Sequence, residues 1–269
     1  MGPLPLSSLL RLFSNCPALQ KARVDIHCKI LQNVANVDVV SLESLVEFGS
    51  TLYTFGRFIP FLKMPLLERL QVCSLGTGVA HLADILPHDG QVLLSRATTM
   101  CHDHKKESQT LRLSGGGVYA SFNVWDGQTG ATSAKWFSDE EYIPFNKIEH
   151  LELAGSYTSA DFPINLFSNA KTLQVTQRGG NLAESALGLL LPGAVIPCPS
   201  LQRITCDDLS YANSHGERFI DLAEKREQAG CRLEQVCMLD FPELDPDLAE
   251  RLRGCVGEVR VEVLADRGH

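Results

Sequence analysis

The chain has 269 residues, 44% of them hydrophobic and 21% charged, which is globular composition and excludes a disordered or fibrous class. Its net charge of −8 argues against a broad nucleic-acid footprint, and the longest basic cluster, "HDHKK" at 102–106, is short and sits beside Glu107. A membrane helix needs about 20 uninterrupted apolar residues, and the most apolar run here, 182–199, is cut by Pro192, Pro197 and Pro199.

The chain opens on "MGPLPLSSLLRLF", which lacks a basic n-region and carries Arg11 inside its apolar stretch, so it does not read as a secretory signal. Leu6, Leu9, Leu10 and Phe13 recur at helical spacing, which predicts that residues 1–16 hold a capping helix packed on the first strand. After it, one apolar spacing keeps returning. "PALQKARVDI", "PLLERLQV", "NKIEHLELAGS" and "PSLQRITC" share Leu-x-x-Leu-x-Leu or a close relative of it. The anchors are Ala22, Leu45, Leu70, Leu151, Leu173, Ile204, Val236 and Val259. Alternation of this kind is strand periodicity with one face buried. It predicts strands near 22–26, 45–48, 68–72, 149–153, 171–175, 202–206, 234–238 and 257–261, with Leu151, Leu153, Leu173, Val175, Ile204, Val236 and Val259 inside.

Between the third and fourth anchors lie residues of another character. "QVLLSRATTM", "QTLRLSGGGVYASFNVWD" and "ATSAKWF" alternate like antiparallel strands, and Gly115-Gly116-Gly117 suits a hairpin turn. Residues 77–146 are therefore expected as a β-rich insertion with a polar tip near 101–108. Further on, "SHGERFIDLAEKREQAG" offers a capping box at Ser214 and Glu217 and a stop at Gly230, and "DPDLAERLRG" offers Asp245 as N-cap with Pro246 behind it. Strand, helix, strand at a step of 20–32 residues is the form of an α/β leucine-rich-repeat-like solenoid, here one domain over 1–269.

No catalytic motif stands out. Cys101, His102 and His104 do not have structural zinc spacing and are expected as a polar loop tip. "SGGGVY" lacks the Gly-Lys-Ser/Thr ending of a phosphate loop, and no Gly-x-Ser-x-Gly elbow occurs. No metal, cofactor or catalytic residue is expected. The nine cysteines are spread without tight pairing and read as small buried thiols of a reducing compartment, cytoplasm or nucleus. Function must then sit on a surface, and the residues flanking the buried ones would line the concave side. These are His150, Glu152, Thr172, Gln174, Arg203, Thr205, Gln235, Cys237, Glu258 and Arg260, a row of mixed sign that suits a protein partner.

"CPALQKARVD", "CPSLQRITCDDL", "KIEHLELAG", "LFSNAKTLQV" and "LAEKREQAGCRLEQVCMLDFPEL", with an "HLADILP" helix and a "QVLLS" strand in the middle, resemble the repeat region of fungal F-box proteins of the large basidiomycete group, over residues 10–264. The resemblance implies a leucine-rich-repeat fold and a place in a cullin-type ubiquitin ligase. The F-box that docks such proteins on the ligase adaptor is missing from residues 1–16, so adaptor binding by this chain is not expected. The expected function is a non-catalytic protein-interaction module, in the family's terms the target-recognition part of a ligase, with no nucleic-acid or membrane partner. Two alternatives stay open: an enzyme with its site in the β-rich insertion, and an orphan repeat fragment without independent function.

Overall fold

A computed structural model describes residues 4–26, 30–31, 37–52, 58–75, 82–104, 108–125, 137, 142–155, 162–176, 187–193, 195–207, 212–239 and 245–262. The fold is mixed α/β: among the described residues eleven longer strands pair mostly in parallel, four two-residue strands make two further parallel pairs, and helices are few. The chain divides into two compact units, residues 1–100 with 105–144 and residues 101–104 with 145–269. No helix among the described residues is long and apolar enough to cross a membrane.

In the first unit, α1 (Leu6–Ser14) buries Leu6, Leu9, Leu10 and Phe13, the four residues its spacing singled out. The Phe13 ring lies 6.3 Å from Phe48, in the second strand, and 6.3 Å from Phe58. The strands β1 (Lys21–Ile26), β2 (Glu47–Leu52) and β3 (Arg69–Leu75) run parallel, with Ala22, Phe48 and Leu70 in one lateral register. The anchor of the second repeat is thus Phe48, not Leu45, which is buried in the turn before β2.

The middle of the chain departs from its expected form. "QVLL" is helical, within α2 (Gly90–Leu94), because Gly90, Leu93 and Leu94 bury one helical face while Val92 points outward. Residues 82–84 of "HLADILP" make only a single 3₁₀ turn. β4 (Thr99–His104) follows. Then β5 (Ser108–Gly115) and β6 (Val118–Trp125) form an antiparallel hairpin, as the glycine run predicted. Its two loop residues, Gly116 and Gly117, have φ of 57° and 77°, both in the left-handed region that a tight type I′ turn demands. β6 also pairs parallel with β3, Ala120 opposite Leu70, so the antiparallel expectation holds on one side of it only. The backbone N–H of Tyr119 donates to the Glu68 carbonyl at 2.8 Å, the link that Glu68 itself makes to Val46 at 2.9 Å and Val46 to Gln20 at 2.8 Å. "ATSAKW" lies outside the described residues.

In the second unit, β7 (His150–Gly155), β8 (Thr172–Thr176), β9 (Arg203–Asp207), β10 (Gln235–Leu239) and β11 (Glu258–Glu262) are parallel neighbours, with Cys101–His104 of β4 beside β7. Leu151, Leu173, Ile204, Val236 and Val259 share one register, and all but Val259 are buried. Val259 is only half-buried because β11 has no following strand among the described residues. α3 (Ala212–Gln228) precedes β10, and α4 (Pro246–Cys255) precedes β11. Ser214 is the third residue of α3 and not its cap. Gly230 ends that helix as expected: its N–H donates to Glu227 and that of Cys231 to Arg226, the two bonds of a Schellman motif. Asp245 caps α4, its carboxylate accepting from the Asp247 N–H at 2.9 Å.

Candidate functional site

Parallel pairing in constant register turns alternate residues into rungs that cross the sheet. In the second unit the first rung outside the buried rows is His150, Thr172, Arg203, Gln235 and Glu258, and the next is Glu152, Gln174, Thr205, Cys237 and Arg260. The sequence reading put these residues on one face, and the register aligns them in two straight lines. His150, Gln174, Arg203, Glu258 and Arg260 are exposed, whereas Glu152, Thr172 and Thr205 are half-buried. Gln235 is buried, and so is Cys237, because each sits within the sheet with a neighbouring strand on both sides.

The rungs are knitted by side-chain contacts. His150 Nδ1 lies 2.9 Å from Thr172 Oγ1. Gln235 Nε2 donates to Glu258 at 2.6 Å, and Arg260 Nε donates to the other oxygen of the same carboxylate at 2.7 Å. The hydrogen bond from Arg260 holds the Glu258 carboxyl below the usual carboxylate range and lifts the Arg260 guanidinium in turn. Burial pushes the Cys237 thiol up, so this sulfur is a poor nucleophile at neutral pH.

The "CHDH" of "CHDHKK" is not a loop tip. These four residues are strand, with Cys101, His102 and Asp103 buried. The His102 ring stacks 6.1 Å from Phe162 and 6.3 Å from His104, and Phe162 stacks in turn on Phe167 at 5.5 Å. Burial, helped by the charge of His104, pulls the His102 pKa down to about 3. No group of three or more metal-binding side chains occurs among the described residues.

The first unit has an equivalent face that the sequence reading passed over. Its rungs run Lys21, Glu47, Arg69 and Tyr119; Arg23, Gly49, Gln71 and Ser121; and Asp25, Thr51, Cys73 and Asn123. A cleft of about 290 Å³ opens over Gly49. The signal was present as the same alternation, Arg23 after Ala22 and Gln71 after Leu70. It was missed because the repeat was anchored on Leu45, which shifts the second strand by three residues and hides Gly49. Compared with protein-family models and with curated proteins, the chain matches none.

Proposed function

We propose that the chain is a non-catalytic protein-recognition module of leucine-rich-repeat type, which reads a protein partner with the polar faces of its parallel strands. The observation that carries this reading is the division of labour along β7–β9: Leu151, Leu173 and Ile204 are buried, and of the residues one step on Gln174 is exposed and Glu152 and Thr205 are partly exposed, all in one register. Such a face costs the core nothing and offers donors, acceptors and both signs of charge at fixed spacing. Arg203 and Arg260 stand among Glu152 and Glu258. A polyanion would favour one sign, and a protein surface favours the mixture. The resemblance of the repeat segments to fungal F-box proteins supports a partner that is a ubiquitin-ligase target.

The test is affinity capture from cell extract with the wild-type chain and with an Arg203→Glu/Gln174→Lys variant. The expected result is a protein retained by the first and lost from the second, while the two melt at the same temperature. Retention of the same proteins by both removes the strand face from recognition.

A further inference from the structure

We infer that the cleft over Gly49 in the first unit is a receptor for an acidic side chain of a bound protein segment. This rests on the reading of the sheet faces as recognition surfaces and gives one of them a chemistry.

Gly49 is the starting point, because the fold has no use for a glycine there. It sits in the interior of β2, paired with Arg23 on one side and Gln71 on the other, in a register unbroken by any bulge. Its φ is not among the left-handed values. A Cβ built on it would stand 3.8 Å from Arg23 Cγ and 4.0 Å from the Ala22 carbonyl oxygen, ordinary contact distances. Glycine in a strand interior weakens the strand, and its common justifications are a bulge, a bend or the close approach of another molecule. The unbroken register excludes the bulge, and the cleft over Gly49 points to the third. The missing side chain is the floor of the cleft.

The walls specify the guest. Around Gly49 stand Arg23, Thr51, Gln71, Cys73, Ser121 and Asn123. They supply a guanidinium, two amides and two hydroxyls, and the lining contains no carboxylate. Arg23 meets Asp25 at 3.6 Å with both side chains well exposed, a loose pair that an incoming anion can replace. One rung away, Glu47 is shared by Lys21 at 3.1 Å and Arg69 at 4.0 Å, leaving cations in excess there too. In a chain of net charge −8, this face carries Lys21, Arg23 and Arg69 against Glu47 and Asp25. Charge complementarity therefore selects a carboxylate. The guanidinium fork takes its oxygens, and the amide and hydroxyl donors take the remaining lone pairs. The volume of about 290 Å³ admits an aspartate or glutamate side chain together with neighbouring atoms of the segment that carries it.

The experiment is selection of a random dodecapeptide phage library on the immobilised chain, followed by fluorescence anisotropy of the enriched peptides. The expected result is a shared Asp or Glu, and binding at least tenfold weaker when it is changed to Asn or Gln. Gly49→Val, which fills the cleft and suits a strand, and Arg23→Glu, an exposed position, should each cost the same tenfold with melting temperature unchanged or raised. Enriched peptides without a common acid, or acid-dependent peptides indifferent to both variants, overturn the inference. If such peptides are lost with Arg203→Glu, the general reading survives without this cleft. A library that yields no binder sinks both. A phosphoserine replacement that binds tenfold tighter than Glu also overturns the assignment, since the guest would then be a phosphate.

Discussion

His102 shows how far a polar residue's chemistry is set by where the strand carries it. Stacked on Phe162 and buried, it is held neutral, with a folded pKa of about 3 against an ordinary 6.5. The unfolded chain therefore binds a proton between these two values that the folded chain refuses, so stability falls as pH drops through that window. Replacing His102 by Phe should flatten the pH dependence of the unfolding free energy, read from urea melts between pH 4 and 6, by up to about 1.4 kcal/mol per pH unit. An unchanged slope would mean that the imidazole is already protonated in the fold. Arg226 on α3 is the converse case, a buried cation kept for its donors. Its guanidinium donates to the carbonyls of Pro197 and Cys198, each at 2.9 Å, and so holds the bend where Cys198 takes a φ of 44°. Arg226→Met should cost about 2 kcal/mol or more in chemical denaturation, because two buried carbonyls lose their partners. In that bend burial pushes the Cys198 thiol up to about 12, which predicts slow labelling by thiol reagents until the protein unfolds.

At the scale of elements, the β5–β6 hairpin makes the sharpest claim. Both of its loop glycines have positive φ, but a Cβ on Gly116 would lie 2.5 Å from the Arg96 carbonyl oxygen, and one on Gly117 would meet nothing within 4 Å. Gly117→Ala should therefore cost about 1 kcal/mol, the backbone term alone, and Gly116→Ala at least twice that by thermal melting. This hairpin was legible in the sequence, as were the helix before β1 and every parallel strand of the second unit, since each rests on a local period or a turn residue. Other features were not. "QVLL" alternates too little over four residues to separate helix from strand, and burial of Leu93 and Leu94 against the rest of the unit decided it. The parallel partner of β6 is a long-range pairing that no local pattern encodes. The burial of "CHD" depends on β7 lying alongside, so polarity alone misread it. The candidate face of the second unit could be read because its buried anchors are Leu, Ile and Val in an even step. That of the first unit carries the same alternation after Ala22 and Leu70, but in its second strand Phe48 stands where a Leu, Ile or Val is looked for, and Leu45, three residues earlier, mimics the anchor.

For the molecule as a whole, the charge on these faces adds little to stability, and in the proposed function it serves recognition. The ion pairs Lys21–Glu47, Lys171–Glu149 and Arg251–Glu217 all join well-exposed side chains. Raising sodium chloride from 50 to 500 mM should therefore move the melting temperature by little, while weakening partner binding several-fold, as a titration calorimeter would register. A large loss of thermal stability in salt would assign those pairs to the fold instead. The rungs carry a further consequence. Each is drawn from separate strands at a lateral pitch of about 4.8 Å, and the spacing of its members is set by the backbone ladder. An exposed square of this grid, such as Gln174 or Arg203, can change its letter while the buried rows beneath stay as they are. A lineage carrying such a surface can trade one client for another by single substitutions, and the cost of each trial falls on affinity and leaves foldability intact.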